Sequence, residues 1–181
     1  MDADRAQQVH GDAELLFDAA SVDQAIAALA AAVEAECRED FPLLLCVMNG
    51  GLLVTAELLK RLPVDLRLDY IHATRYREQV VGSGIYWRVV PAQSLEGRSV
   101  VVVDDIFDEG ITLSAIVDYC RQRGASSVTS VVLVDKCHAR KVAGFSPDIV
   151  GLRLPDRYLY GFGMDYKGYL RNCSEIYAVR E

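Results

Sequence analysis

The feature that most constrains the fold is a run of four valines, Val100 to Val103, followed directly by acidic residues. Consecutive β-branched residues are typical of a strand buried on both faces, as in a parallel sheet. Beyond the acids, apolar residues recur at helical spacing, with Thr112 as the predicted N-cap: Leu113, Ile116, Val117 and Cys120. The segment therefore predicts a strand, an acidic loop containing glycine, and a helix.

The loop between this strand and helix has the composition of a sugar-phosphate site. It reads Asp104-Asp105-Ile-Phe-Asp108-Glu109-Gly110-Ile111-Thr112. Acids beside a buried strand are costly unless a ligand or metal ion uses them, and a helix N-terminus offers free N–H groups to a phosphate. We therefore expect a phosphate on the amides of residues 108–112, with Asp104 and Asp105 facing sugar hydroxyls or a hydrated Mg²⁺. An exposed acidic turn is the alternative.

The same residues resemble a known binding motif. No G-x-x-x-x-G-K-[ST] or G-x-G-x-x-G pattern occurs here, which argues against a Walker loop or a dinucleotide fold. The segment resembles the phosphoribosyl-pyrophosphate (PRPP) motif of type I phosphoribosyltransferases: four apolar residues, two acids, two apolar residues, then D-[ST]-G-x-T. Glu109 departs from it, because Ser or Thr is usual there. The resemblance implies that residues 104, 105 and 108–112 bind the ribose and the 5-phosphate.

Other segments predict an α/β fold. Ser21 with Gln24 forms a predicted capping box before a helix from Asp23 to Glu36. A buried strand is predicted at Leu43–Met48 and a helix at Leu52–Leu62, and further strands are predicted at residues 66–71 and 128–134. Helices between the strands would give right-handed crossovers in a parallel sheet. The resemblance adds a small hood formed by the terminal segments.

The carboxyl ends of such strands form a crevice, so the loops at 48–51, 72–86, 104–112 and 135–138 should converge. In Met48-Asn49-Gly50-Gly51, adjacent glycines allow bare backbone amides to approach an anion. A plain turn is the alternative.

Composition narrows the class of protein. The 181 residues are 51% hydrophobic and 25% charged, which suits a single domain spanning 1–181. No apolar run approaches the roughly 20 residues that span a bilayer, and the first residues lack a signal pattern, so we expect a soluble, cytoplasmic protein without membrane contacts. The five cysteines form no C-x-x-C pair, and three lie in apolar patterns that predict reduced core thiols. A net charge of −7 argues against nucleic-acid binding.

The C-terminal third narrows the resemblance to one family. Its motifs are Val134-Asp135-Lys136, Pro147-Asp148, Pro155-Asp156-Arg-Tyr158-Leu159, Gly161-Phe-Gly-Met-Asp165-Tyr166 and Tyr169-Leu-Arg171. Together they resemble the hypoxanthine-guanine phosphoribosyltransferase family from about residue 40 to residue 179. An aromatic side chain at 158 also offers a face to a flat heterocycle, and Lys136 offers a hydrogen-bond donor.

This resemblance implies a purine salvage enzyme that transfers the phosphoribosyl group of PRPP to N9 of a 6-oxopurine. Lys136 would donate to the oxygen at purine C6, Tyr158 would stack on the base, and the Leu159 backbone would read its edge. Asp108 would be the general base for the N7 proton. The pyrophosphate would bind Met48, Asn49, Gly50 and Arg171. Mg²⁺ would be held by Asp165, which also borders the purine, and by Asp104 and Asp105. The implied assembly is a homodimer or homotetramer.

Residues 74–86 form the implied lid, with Tyr76 matching the tyrosine of the family's Ser-Tyr pair and Arg75 in place of the serine. No role is predicted for His10, His72 or His138, which have no companion nucleophile or ligand cluster in the sequence. Two alternatives remain: a non-catalytic PRPP- or nucleotide-binding regulator of the same fold, and a xanthine-preferring enzyme.

Overall fold

A six-stranded sheet forms the centre of the molecule. The computed structural model describes residues 3–37, 41–62, 65–75 and 84–180. Its helices are α1 (Ala3–Asp12), α2 (Ala19–Glu36), α3 (Leu52–Arg61) and α4 (Ile111–Gln122). Its strands are β1 (Glu14–Phe17), β2 (Leu43–Val47), β3 (Arg67–Arg75), β4 (Ile85–Val89), β5 (Ser99–Phe107), β6 (Ser127–Cys137), β7 (Ile149–Pro155), β8 (Leu159–Tyr160) and β9 (Ile176–Ala178). The central sheet has the order β4-β3-β2-β5-β6-β7, and β4 alone runs antiparallel to its neighbour.

The valine run lies at the middle of this sheet, as predicted. Val101 and Val103 pack with α2 and α3 on one face, whereas Val100 and Val102 pack with α4 on the other. All of these side chains are fully buried. The alternation of side chains along a strand explains why four consecutive apolar residues are needed when both faces are covered. The predicted α/β fold with a mostly parallel sheet is confirmed.

Two of the three predicted helix starts need correction, whereas α3 begins at Leu52 as predicted. The helix predicted from Asp23 begins at Ala19, because the Asp18 carboxylate caps it by accepting the Ser21 N–H at 2.8 Å, so the predicted Ser21–Gln24 capping box is wrong. The predicted N-cap at Thr112 is also wrong. Helix α4 begins one residue after Gly110, whose φ of 80° is accessible to glycine at little cost.

The connections also differ in part from the prediction. No helix occurs among the described residues between β3 and β5, where the chain instead forms antiparallel β4, and none occurs between β6 and β7. In addition, β5 extends four residues past the valines, so Asp104 and Asp105 belong to the strand rather than to a loop. Pairing of Asp104 and Ile106 with β6 continues the ladder through the acidic residues.

A small antiparallel sheet of order β1-β9-β8 joins the two terminal parts of the chain. Its buried residues Leu159, Ile176 and Ala178 pack on the same core as α2 and α3. The predicted hood of terminal segments is therefore confirmed, and it places residues 158–165 beside the ends of β5 and β6. None of the described helices is long and apolar enough to cross a bilayer.

Asp148 fixes the start of β7, and its removal should destabilise the fold. Its carboxylate accepts the backbone N–H and the hydroxyl of fully buried Ser130, both at 2.7 Å. Asp148→Ala should lower the free energy of unfolding by about 1–3 kcal/mol, because two buried donors lose their acceptor. Asp148→Asn, which keeps one acceptor, should recover part of this loss in urea denaturation. Equal stability of the alanine variant and the wild type would contradict a stabilising role for the Asp148–Ser130 hydrogen bonds.

Candidate active site

The carboxyl ends of β2 and β5 and the N-terminus of α4 enclose a cleft of about 330 Å³. The loop at 48–51 and the acidic segment 104–112, whose first four residues belong to β5, meet there, and residues at the end of β3 reach it, as predicted. Every residue predicted to contact PRPP or pyrophosphate lines this cleft: Met48, Asn49, Gly50, Asp104, Asp105, Asp108, Glu109, Gly110, Ile111, Thr112 and Arg171. Asp165 also lines it.

A second cleft of about 260 Å³ adjoins the first. It contains the residues predicted to bind a purine: Lys136, Tyr158, Leu159 and Asp165. Four residues line both clefts, namely Asp105, Ile106, Asp108 and Asp165. Asp108 is therefore placed where groups bound in the two clefts would meet.

Gly110 forms the sharp turn at the end of the first cleft where a phosphate is predicted to bind. A Cβ at this position would overlap the ring of Phe107, and the φ of 80° disfavours other residues as well. The resulting sharp turn starts α4 immediately after the acidic strand. The first N–H groups of the helix, which have no intrahelical acceptors, therefore face the cleft that residues 108–112 line.

Two residues that depart from the family's pattern, Arg75 and Glu109, contact each other. Arg75 at the end of β3 pairs with Glu109 of the phosphate loop, with 2.7 Å between Nη1 and Oε2. The side chains are 50% and 36% exposed, respectively, and both residues line the first cleft. The carboxylate that replaces a hydroxyl in the loop thus has a compensating cation, which the sequence alone did not indicate. Tyr76, the predicted lid tyrosine, lies outside the described residues.

Asp104 and Asp105 form an acid pair at the end of β5. Burial raises the pKa of both carboxyls, and the adjacent Asp105 charge raises that of Asp104 further, so that it lies well above its usual range. Arg171 opposes these shifts through its positive charge. A pair of acids held in this way favours a bound cation or hydrogen-bond donors.

Glycines allow the loop at 48–51 to approach this acid pair closely. A Cβ on Gly50 would overlap the Asp105 carboxylate, and a Cβ on Gly163 would overlap the carbonyl oxygen of Gly50. Arg171 donates to the Gly163 carbonyl at 2.6 Å and pairs with Asp165 at 2.7 Å. The loop at 48–51, in which the Met48–Asn49 peptide bond is cis, is therefore packed directly between β5 and the segment 161–165.

The second cleft carries a buried cation and an exposed aromatic ring. The Nζ atom of Lys136 lies 3.2 Å from Asp108 and 3.0 Å from Asp156, and Lys136 is only 8% exposed. Hydrogen bonds from Arg140 and Lys136 hold the pKa of Asp156 well below its usual range. The Tyr158 ring is supported edge-on by another tyrosine and stays 48% exposed, so one of its faces is available.

His138 contacts the site, although the sequence suggested no role for it. The Nε2 atom of His138 lies 2.6 Å from Oδ1 of Asp108. His138 follows Lys136 by two residues and lies one residue beyond the end of β6. Its spacing from Lys136 was the available signal in the sequence, because residues two apart in an extended segment share one side.

The same region contains an Asp108–His138–Asp156 group whose ligand atoms lie within 4.8 Å of one another, close enough to hold a metal ion. The Lys136 ammonium lies within 3.2 Å of both carboxylates, however. Because the Lys136 ammonium already supplies positive charge there, the Asp108–His138–Asp156 group fits a salt-bridge network better than a metal centre.

Asp104→Asn should show how much folding stability is lost when the Asp104 carboxyl ionises beside Asp105. The amide oxygen can still accept the Asp105 N–H, which now donates to the Asp104 carboxylate at 2.9 Å, but the charge is removed. Because the folded-state pKa is raised, ionisation opposes folding, and the penalty grows as the pH rises above the usual value of 3.8. We expect the variant to be more stable by roughly 1–3 kcal/mol at pH 8 and by less near pH 4, in urea denaturation without divalent cations. An equal difference at both pH values would contradict this.

Comparisons with known proteins agree with the geometry. Residues 13–156 match the model of the phosphoribosyl transferase domain family. The chain is 33% identical over 172 residues to the hypoxanthine-guanine phosphoribosyltransferase of Bacillus subtilis (strain 168), covering 94% of this chain and 95% of that protein. It is 28% identical over 170 residues to the enzyme of the same name from Aquifex aeolicus (strain VF5), covering 93% and 95%.

Solved structures give the same result. A hypoxanthine-guanine-xanthine phosphoribosyltransferase superimposes with a TM-score of 0.85 at 27% identity, covering 94% of this chain and 99% of that chain. The acid pair, the α4 N-terminus and the lysine-bearing cleft thus lie on a fold shared along nearly the whole chain. From this match of sequence, fold and cleft, the chain belongs to the hypoxanthine-guanine phosphoribosyltransferase family.

Proposed function

We propose that this protein is a purine salvage enzyme that transfers the 5-phosphoribosyl group from PRPP to N9 of hypoxanthine or guanine, releasing pyrophosphate. The observation that carries the proposal is the position of Asp108, which lines both the phosphate-type cleft and the lysine-bearing cleft. A base at this junction can act on a purine while the purine attacks a sugar held next to it.

In the first cleft, PRPP would bind by its anionic ends and its hydroxyls. The 5-phosphate would accept hydrogen bonds from the N–H groups of residues 109–112, where the helix dipole favours negative charge. The ribose hydroxyls would donate to Asp104 and Asp105, and the pyrophosphate would lie against residues 48–50 and Arg171. These residues line one continuous cleft, which supports a single extended ligand.

In the second cleft, Lys136 would select a 6-oxopurine. Its buried ammonium can only donate, so it suits the oxygen at C6 and opposes the amino group of adenine. A donor facing a donor without water costs heavily, which gives strong discrimination. Tyr158 would stack on the base, and Asp165 would border it.

During transfer, the C1–pyrophosphate bond breaks as N9 bonds to C1 through an oxocarbenium-like ribosyl group. The purine then carries excess positive charge, and its N7 proton passes to the Asp108 carboxylate. This removal favours the forward reaction, and the cationic groups around the pyrophosphate stabilise the charge that it gains. Closure of residues 74–86 would keep out water, which would otherwise hydrolyse PRPP.

Asp104, Asp105 and Asp165 are the residues that would hold Mg²⁺. The fit rests on the chemistry of these side chains, because Mg²⁺ prefers hard carboxylate oxygens. Asp104 and Asp105 are also adjacent, so a bound cation would relieve the repulsion between their charges. Bound there, Mg²⁺ would neutralise charge on the pyrophosphate side of PRPP.

The single domain and the homodimeric or homotetrameric assembly remain predictions, as does the cytoplasmic location. Size-exclusion chromatography with light scattering would measure the assembly directly.

Turnover tests the function. Purified protein should be mixed with PRPP, Mg²⁺ and each of hypoxanthine, guanine, xanthine and adenine, and nucleotide formation followed. We expect turnover with hypoxanthine, guanine or both, and little with adenine. PRPP binding without turnover of any base would indicate the regulator instead, and fastest turnover with xanthine would indicate the xanthine-preferring enzyme.

Asp108→Asn should lower kcat by roughly 10²–10⁴-fold and leave KM for PRPP within a few-fold, because it removes a general base and preserves the shape. Steady-state kinetics with hypoxanthine measures both constants. Asp118→Asn is the matched control, since Asp118 lies on α4 with its side chain 59% exposed. Wild-type turnover in Asp108→Asn would rule out Asp108 as the general base.

The Arg75–Glu109 pair should affect PRPP binding as a unit. Arg75→Ser leaves an uncompensated carboxylate in the phosphate loop, so calorimetry should show binding weakened about tenfold. Glu109→Thr should leave affinity unchanged or increase it, and the double variant should recover most of the loss. The control Arg121→Ser removes one exposed arginine from the far end of α4 and should have little effect. Additive effects of the two substitutions would show that the residues act independently.

A further inference from the structure

His138 is a buried imidazole that contacts the proposed general base directly. Its side chain is 5% exposed, and its Nε2 atom lies 2.6 Å from Oδ1 of Asp108. It lies just beyond the end of β6 and, like Lys136, contacts Asp108. The binding role proposed for the second cleft uses Lys136 and leaves this histidine unexplained.

The hydrogen bonds of His138 define its tautomer. The backbone N–H of Arg140 donates to Nδ1 at 3.1 Å, so Nδ1 is an acceptor and carries no proton. The ring proton is then on Nε2, which donates to Asp108. His138 thus acts as a neutral donor, since both of its nitrogens are satisfied without a second proton.

The two oxygens of Asp108 have different partners. Oδ1 accepts from His138 at 2.6 Å, and Oδ2 accepts from Lys136 at 3.2 Å. Lys136 is shared with Asp156, which also binds Arg140 at 2.7 Å, so its ammonium is divided between two carboxylates. Among the described contacts of Asp108, His138 supplies the shorter bond.

Two donors on different oxygens fix the plane of a carboxylate, whereas one donor leaves it free to rotate about the Cβ–Cγ bond. Asp108 needs such a restraint, because its side chain is 47% exposed and projects between the two clefts. Misplacement of a base by about 1 Å can lower a rate substantially.

We propose that His138 is a positioning residue, which orients the Asp108 carboxylate so that a free lone pair faces N7 of the bound purine. The N7 proton passes to Asp108 as the N9–C1 bond forms and the C1–pyrophosphate bond breaks. His138 keeps its own proton on Nε2 throughout. This inference rests on the proposed function, in which Asp108 is the base.

Two substitutions of similar volume test the proposal. His138→Leu fills the buried space and removes the donor, whereas His138→Gln can place an amide N–H near the position of Nε2. We expect kcat to fall about 10–100-fold in His138→Leu, with KM for PRPP within about threefold, and to return to within about fivefold of wild type in His138→Gln. Thermal unfolding of both variants checks that the fold is retained.

A double-variant cycle separates positioning from a general structural effect. In an Asp108→Asn background, His138→Leu should cause little further loss of kcat, because the group it orients no longer acts as a base. A wild-type kcat in His138→Leu, or the same fractional loss in both backgrounds, would overturn the role of His138 alone. Absence of turnover by the wild type with all four bases would overturn the proposed function as well.

Discussion

The site depends on the burial of β5 on both faces. Helices α2 and α3 cover one face of the valine run and α4 covers the other, so the strand can move little without disturbing both cores. The acids Asp104 and Asp105 continue the same strand, so the pairing of this strand with β6 sets their positions. Burial raises the pKa of both carboxyls, and the neighbouring Asp105 charge raises that of Asp104 further. Folding of the buried strand therefore holds the two carboxyl groups side by side.

Close packing at two glycines connects this strand to the neighbouring loops. The Asp105 carboxylate fills the space that a side chain on Gly50 would need, and the Gly50 carbonyl fills the space beside Gly163. Arg171 then joins the Gly163 carbonyl to Asp165 through two hydrogen-bonded contacts. Three segments far apart in the chain thus form one wall of the first cleft. Such preorganisation reduces the conformational entropy that a ligand must remove.

Charge compensation explains how the chain accommodates its unusual residues. A glutamate in a phosphate loop is unfavourable by itself, but Arg75 from the end of β3 lies 2.7 Å from it. Lys136 and Asp108 of the second cleft form a network with the neighbouring Asp156 and Arg140 in which the charges alternate in sign, and His138 adds a neutral donor. Both arrangements keep strong charges near the ligand clefts without leaving any of these groups unpaired.

The amino-acid sequence by itself determined four strands of the parallel sheet, β2, β3, β5 and β6, because hydrophobic periodicity is a local property. Its motifs also indicated the acidic loop and, by resemblance, the family. The valine run, the glycines at 50 and 110 and the segment from Pro155 to Arg171 are recognisable without coordinates. Helix starts were less predictable, since Asp18 and Thr112 both have cap-forming side chains and backbone geometry selects between the available caps. Only the tertiary structure decided which distant side chains meet. Arg75 and Glu109, and Asp108 and His138, are about 30 residues apart in sequence, and strand order brings them into contact.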